Sequence, residues 1–520
     1  MMEGTSLSSS LSVFHALDST LLCQGQPIMT FQALPPEIQL PAARELDPVD
    51  KVNLMYTCRY FYELVTPLLY EALPDAKRYS ERLVDSLLRN PALRNYPRYI
   101  RLEACYVRGP DEEEEDDDDE SAGDNKNNIE DILTAKEDED DPTTWLYNVP
   151  LQTQYAREVC TSESDGDFLS RVIWTNGDGA HTLLLTLVPN LVRLDLQFPR
   201  HGGLTDLLVT WAARGRFATP VLQNLQDVYV SAEWRKFDEE GEDEIITDDA
   251  LTFLRLPSLR RFKTDALRDV FYECRMPEHP SSVTHLEISR CPGLDDIEDF
   301  IAVFPNLQSY RHSYVTWKWK KPLSSRRMYQ TLLQSKETLR EIWLDISVRN
   351  FERAPAELKW PTFSKFTALE VLHVPIFLLE GFTGERRTID LTDLLPPCLK
   401  TLHIFDAASN ALPNLLPSLL NHINSRQSQN LTELIVAFTP QYVEGGLFII
   451  LDESVKRGLQ LTDDPLRSDE SADLLCQRLK ELQRACRRQE ARFDFQIFDP
   501  SSELVRAWEF EDPFEETWSV

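Results

Sequence analysis

The sequence predicts an α/β chain: a small three-helix module followed by an irregular array of parallel strands backed by helices. Three observations lead there. A short apolar pattern recurs nine times between residues 191 and 436. The copies start at near-regular intervals with a mean of 30 residues, enough for a strand, a loop and a return helix. Ahead of them, residues 34–73 carry helix-start punctuation and helical apolar spacing.

Residues 1–30 contain no Lys or Arg, so a secretory signal lacks its basic start and a transit peptide its arginines. They are expected to form a disordered tail. The helical module spans 31–75. Pro35 and Pro36 suit a helix start. Asp47 reads as the cap of a second helix, with Pro48 at its first position and Asp50 three residues on. Val52, Met55, Tyr56 and the run from Cys58 to Leu64 carry helical apolar spacing, and Pro67 and Pro74 bound the next stretch of chain. A unit this small should lean on a neighbour or a partner.

Three pieces of this segment carry a likeness: Leu34-Pro35-x-Glu37-Ile38, Leu46-Asp47-Pro48-x-Asp50 and Leu54-x-x-Thr57-Cys58-Arg59-x-Phe61. The segment resembles an F-box. The trailing Leu68-Leu69-Tyr70 and the stretch from Arg82 to Leu102 are similar to the form found in many fungal F-box proteins. The resemblance implies docking onto a Skp-type adaptor of a cullin-based ubiquitin ligase, through Leu34, Pro35, Ile38, Leu46, Val52, Leu54, Cys58 and Phe61. It implies a substrate receptor with no catalysis of its own. Three positions depart from the pattern. Pro41 falls inside the first helix, where it removes a backbone donor at ~3 kcal/mol if the helix is regular. Ala42 stands where the family has Ile or Leu, and Lys51 replaces a Leu. Each lost large apolar side chain weakens docking by ~1–3 kcal/mol.

Residues 76–108 read as a linking helix and a first strand, Tyr99-Ile100-Arg101-Leu102. Residues 109–144 are an acidic insertion. The window 111–141 holds 18 acids against two lysines, half of the chain's net charge of −32. Such a block repels itself and buries nothing, so it is expected to be disordered. Its plain role is solubility; the alternative is a lure for a basic protein partner. A smaller acidic loop covers 238–244.

The array is expected over 145–440. Its pattern is an apolar residue, two variable ones, an apolar, a variable and an apolar. Clear copies are Leu191-Val-Arg-Leu194-Asp-Leu196, Leu225-Gln-Asp-Val228-Tyr-Val230, Val283-Thr-His-Leu286-Glu-Ile288 and Leu339-Arg-Glu-Ile342-Trp-Leu344. Leu369 to Val374, Leu399 to Ile404 and Leu431 to Val436 repeat it. Weaker copies begin at Leu259 and Leu307, with Thr264 and His312 in the last position. Alternation at the end of each copy is a strand with one buried face. Pro or Asn before many copies suits the turn into that strand. One such unit cannot bury its apolar side alone, and stacking gives a parallel sheet backed by helices. From about Thr182 to Ala437 the chain resembles the leucine-rich repeat family in a degenerate, longer-unit form. That family's Asn/Cys ladder after the strand is mostly absent, with Cys291 as one remnant. Residues 441–520 are expected to cap the open end, with a helix over 471–490 and a last strand at 493–497.

The middle variable residue of each copy should point away from the helices, onto a concave face. Along the array this row reads Asp195, Tyr229, Lys263, Glu287, Arg311, Trp343, His373, His403 and Ile435. Tyr229, Lys263, Glu287, Arg311, Trp343, His373 and His403 are the candidate substrate-binding residues, with Trp343 as anchor. Mixed charge with aromatic side chains is the composition of a recognition surface.

The acidic balance argues against sequence-independent binding to nucleic acid or to an anionic membrane. The longest mostly apolar run, Leu183 to Leu196, is broken by Pro189, Asn190, Arg193 and Asp195 and is too short to span a bilayer. Nine scattered cysteines, none in C-x2-C spacing, read as reduced thiols of the cytoplasm or nucleus. No phosphate loop, G-x-S-x-G, H-E-x-x-H or zinc-ribbon spacing occurs, so neither an enzyme, a cofactor nor a metal is expected. Two readings remain: a ubiquitin-ligase substrate receptor, and a repeat scaffold with no ligase association.

Overall fold

The computed structural model describes residues 31, 34–73, 80–102, 149–173, 178–198, 204–232, 245–246, 252–265, 267–268, 280–291, 297–314, 325–346, 360–380, 391–408, 412–439 and 470–497. The tail at 1–30, the acidic insertion at 109–144 and the loop at 238–244 lie outside them. The chain divides into two compact units, Met1–Leu73 and Pro74–Val520.

Among its described residues the first unit contains three helices: α1 (Pro36–Arg44), α2 (Pro48–Met55) and α3 (Arg59–Glu71). Asp47 caps α2 by accepting the Asp50 N–H at 2.8 Å, as the spacing of the two aspartates requires. Helix α1 continues through Pro41. Its end is closed by the Glu45 N–H donating to the Pro41 carbonyl at 3.3 Å. Ala43, Val65 and Leu68 form the core of the unit, with Leu54, Met55 and Leu64 packed against it. The buried Gln39 amide donates to the Leu34 carbonyl at 2.7 Å and to the Phe31 carbonyl at 3.0 Å, tying the incoming chain to α1. Tyr60 donates its hydroxyl to the same Gln39 side chain.

In the second unit, eleven strands of one sheet stand side by side in chain order. Helix α4 (Ser80–Arg89) precedes strand β1 (Tyr99–Leu102). Helices α5 (Val149–Val159), α6 (Glu163–Val172) and α7 (Gly179–Leu187) lead to β2 (Arg193–Phe198). Then come α8 (Leu204–Ala213), β3 (Asp227–Ala232), β4 (Arg261–Asp265), β5 (His285–Cys291), α9 (Ile297–Ala302) and β6 (Ser309–Tyr314). After α10 (Ser325–Leu332) stand β7 (Glu341–Ile346), β8 (Val371–Pro375), α11 (Ile376–Glu380), α12 (Leu391–Leu394) and β9 (Thr401–Ala408). Helix α13 (Leu412–Asn424), β10 (Glu433–Thr439), α14 (Glu470–Arg488) and β11 (Arg492–Ile497) complete the order. Every one of the nine apolar copies enters a strand, and neighbouring strands pair in parallel. A second, two-stranded pair joins Ile245–Ile246 to Leu267–Arg268.

One face of the sheet is the core. Ile100, Leu194, Val228, Phe262, Leu286, Tyr310, Ile342, Leu372, Leu402 and Leu434 share one register row and are buried. Full burial of each aliphatic side chain of this kind contributes about 1.5–3 kcal/mol. The helices meet this row: the Tyr310 hydroxyl lies 3.7 Å from the Met328 sulfur of α10. The apolar run from Leu183 to Leu196 resolves into the buried helix α7, a turn at Pro189-Asn190 and strand β2. The irregular copy at Leu307 keeps its place because His312 is accepted into the core, its Nδ1 3.2 Å from the Tyr310 hydroxyl.

A polar ladder precedes the strands. Immediately before many of the copies stands a small polar residue whose side chain donates to a backbone carbonyl of the preceding repeat. Asn190 reaches Asn95 at 3.0 Å, Asn224 reaches Pro189 at 3.0 Å, and Ser258 reaches Leu225 at 2.8 Å. Ser282 reaches Leu259 at 2.8 Å, Thr338 reaches Leu307 at 2.8 Å, Cys398 reaches Leu369 at 3.1 Å, and Asn430 reaches Pro397 at 2.8 Å. In sequence these residues read as turn formers; they also satisfy carbonyls that the turn leaves without a strand partner.

Candidate functional site

On the face opposite the apolar row, the strands place every predicted middle residue in one continuous line. Asp195 pairs in register with Tyr229, Tyr229 with Lys263, Lys263 with Glu287, and Glu287 with Arg311. Arg311 pairs with Trp343, Trp343 with His373, His373 with His403, and His403 with Ile435. The line extends by one residue at each end, to Arg101 and to Asp494. Neither was found in the sequence, because β1 and β11 lack the full apolar pattern.

The two ends of the face are held by charge. Near β2, the Arg193 guanidinium donates to both Asp195 oxygens at 3.1 Å and lies 4.9 Å from the Tyr99 ring centroid. The Tyr99 hydroxyl donates to Asp195 at 2.7 Å. Burial, with the Asp195 carboxylate beside it, pushes the Tyr99 phenol well above its ordinary value. Lys263 meets Glu287 at 2.8 Å and sits 5.2 Å from the Tyr229 ring centroid. Arg261 and Asp227 approach at 3.7 Å. Burial pushes the Asp227 carboxyl up, and Arg261 opposes that shift. At the far end Arg492 pairs with Glu433 at 3.2 Å.

The middle of the face is aromatic. Arg311 pairs with Glu341 at 2.8 Å and lies 5.4 Å from the Trp343 ring centroid. Trp343 stacks on His373 with centroids 3.8 Å apart and planes 6° apart. His373 also stacks against Phe405, at 4.5 Å and 24°. His403 stands perpendicular to His373, with the two Nδ1 atoms 2.7 Å apart. One Nδ1 must donate and the other accept, so a single proton lies between these two nitrogens and the accepting ring carries its own on Nε2. Burial keeps both rings neutral: His373 falls well below its ordinary value, with His403 as a second cause, and His403 is lowered to about 4. Asp494 opposes the shift of His403. Phe405 was missed in the sequence, although it continues the outward alternation of Thr401 and His403 along β9.

Trp343 is half-buried, whereas His373 and His403 are each only 5% exposed. His373 therefore backs one face of the indole, and neither imidazole presents an edge. This arrangement suits recognition by an apolar or aromatic side chain laid against Trp343. Among the described residues, no group of three or more His, Cys, Asp or Glu side chains is placed to hold a metal ion. Nor is any helix among them long and apolar enough to cross a membrane.

The first unit presents a different surface. Among the described residues, seven large apolar side chains are exposed, and six belong to this unit: Ile38, Leu40, Val49, Tyr56, Tyr60 and Tyr62. Tyr56 is 85% exposed and Val49 68%. Of the eight residues expected to face an adaptor, Pro35 and Ile38 are exposed, and Leu34, Leu46, Val52, Leu54 and Cys58 are half-buried. Phe61 is buried, with its ring 5.5 Å from that of Phe31. Its place is in the packing of the unit, not on the outer surface. Leu54 likewise packs against the core of the unit. The exposed Leu40, Val49, Tyr56, Tyr60 and Tyr62 were not among the expected contacts. Their signal was apolar residues recurring on more than one side of short helices, more than a three-helix core can bury.

A family model for a leucine-rich repeat domain matches residues 168–439, just over half of the chain. No curated protein matches it.

Proposed function

The chain belongs to the leucine-rich repeat family, and from that premise we propose that it is the substrate-recognition subunit of a Skp–cullin–F-box ubiquitin ligase. Leucine-rich repeat domains are typically non-enzymatic interaction modules. In this reading the helical unit docks onto the Skp-type adaptor, in the cytoplasm or nucleus. The sheet face around Trp343 takes the protein substrate. The observation that carries the adaptor half is the concentration of exposed apolar side chains between residues 38 and 62. A soluble surface seldom leaves so many large apolar groups together unless a partner covers them.

The test is capture of a purified Skp-type adaptor by the wild-type chain and by an Ile38→Glu, Val49→Glu variant. Wild-type binding that the variant loses supports the proposal. No binding by the wild type, or equal binding by both, sinks it. A repeat scaffold without ligase association is the second reading. It is favoured by Lys51, which places a cation where an apolar adaptor contact is expected.

A further inference from the structure

Helices α13 and α14 leave an open groove lined by Leu420, Asn424, Glu481, Arg484, Arg487 and Arg488. Three guanidiniums face it in a chain of net charge −32. The C-terminal end of α14 attracts cations, but its dipole is equivalent to only about half a charge. The single acid of the groove, Glu481, accepts a hydrogen bond from Gln477 at 3.0 Å. The groove therefore keeps a cationic surplus beside the apolar side chain of Leu420.

We propose that residues 498–520 of this same chain dock in the groove. Three features select that segment. It carries seven acids against one arginine, complementary to Arg484, Arg487 and Arg488. It also carries five aromatic residues, among them Trp508, Phe510 and Phe514, which can cover Leu420 and stack on guanidinium faces. The other strongly acidic window, 111–141, has no aromatic residue. Finally, the segment starts where β11 ends, and β11 itself comes directly after α14. Strand β11 carries the chain roughly 20 Å from the groove, and about six extended residues return that distance. Glu509, Glu511, Asp512, Glu515 and Glu516 lie beyond those six. The tether gives the contact a high effective concentration, so even a weak groove is occupied.

The experiment is native-state cleavage by chymotrypsin at Trp508 and Phe510 in the full-length chain. Three chains are compared with wild type. One has a neutralised tail (E509Q/E511Q/D512N/E515Q/E516Q), one a reversed groove (R484E/R487E/R488E), and the third combines the reversed groove with E509K/E511K/D512K/E515K/E516K. Docking predicts slow cleavage in wild type, at least tenfold faster cleavage in the first two, and restored protection in the third. If the groove variant does not fold, the neutralised tail decides alone, since it leaves the array untouched. Equal cleavage of wild type and the neutralised tail overturns the proposal. So does a charge exchange that restores nothing.

Discussion

Acidification should loosen the array through two core histidines, His312 and His403. Both are lowered by burial to about 4, against an ordinary 6.5. At pH 5 an unfolded imidazole is almost wholly protonated, whereas these two stay neutral in the folded chain. The unfolded state then binds about one more proton at each, so stability must rise with pH between 4 and 6.5 and fall on acidification. At pH 5 this costs about 2 kcal/mol per histidine, or about 4 kcal/mol for the pair, relative to pH 8. His373 is shifted in the same direction and adds to the loss. Asp227, pushed up by burial, acts in the opposite direction. Long repeat arrays lose all-or-none cooperativity, so the readout should be local. Amide exchange in β6 and β9, corrected for intrinsic rates, gives the opening free energy at pH 8 and pH 5. A His312→Gln, His403→Gln variant should lose the share that these two carry and keep that of His373 and His285, which burial also lowers, whatever its stability at pH 8. If the variant keeps the wild-type dependence, or the wild type is more stable at pH 5, the reasoning fails.

Other changes probe other parts of the molecule. Leu402→Ala, in the fully buried row, should lower the local opening free energy around β9 by about 3 kcal/mol in amide exchange. Asn224→Ala removes one rung of the ladder that precedes the strands and should cost about 1 kcal/mol by the same measurement. Gly179→Ala would bring a methyl group to 1.7 Å from the Ile173 carbonyl oxygen, a backbone atom that cannot move aside cheaply. Its thermal unfolding midpoint should drop by several degrees, whereas Gly215→Ala meets no neighbour and is strained only by its positive φ. Trp343→Ala should weaken substrate capture by tenfold or more with unchanged adaptor capture, measured by pull-down with the same preparation.

The array could be read from the sequence because its signal is physical and repeated. A strand covered on one face must alternate, and nine alternating segments in phase leave little else to build. The same logic placed Tyr229, Lys263, Glu287, Arg311, Trp343, His373 and His403 in one line. What the pattern could not show was burial within that line. His373 and His403 look like surface residues in sequence, yet Trp343 and Phe405 cover them, and this depends on side-chain stacking across three strands. Arg101 and Asp494 were missed because the terminal strands lie outside the repeated pattern. The polar ladder ahead of the strands was not read from the sequence, because Asn, Ser, Thr and Cys before a strand already have a sufficient local explanation as turn residues. In the helical unit the three helices were legible from Pro35, Asp47, Pro48 and Asp50. Which apolar side chains face outward was not, since short helices with apolar residues on several sides leave the core face ambiguous.

The distribution of charge bears on how a substrate would be chosen. Half of the net charge lies in 111–141, outside the repeats. On the sheet face the charges are largely answered where they stand: Arg193 by Asp195, Lys263 by Glu287, Arg311 by Glu341, Arg492 by Glu433. A side chain already paired and hydrogen-bonded gains little from a second partner and loses solvation when covered. The ion pairs therefore frame the face more than they attract to it. Between Arg311 and Asp494 the register line carries only aromatic, aliphatic or neutral imidazole side chains. Covering Trp343, Phe405 and Ile435 releases water without stripping a charge. Selection on this face should accordingly follow the shape of an apolar segment, with little dependence on salt. Long-range attraction of a basic partner, where it occurs, would come from the acidic window and weaken steeply as salt rises. Measuring substrate capture and basic-protein capture across a salt series separates the two. A salt dependence shared by both, and lost together when 111–141 is deleted, would place substrate selection in the acidic window instead of at Trp343.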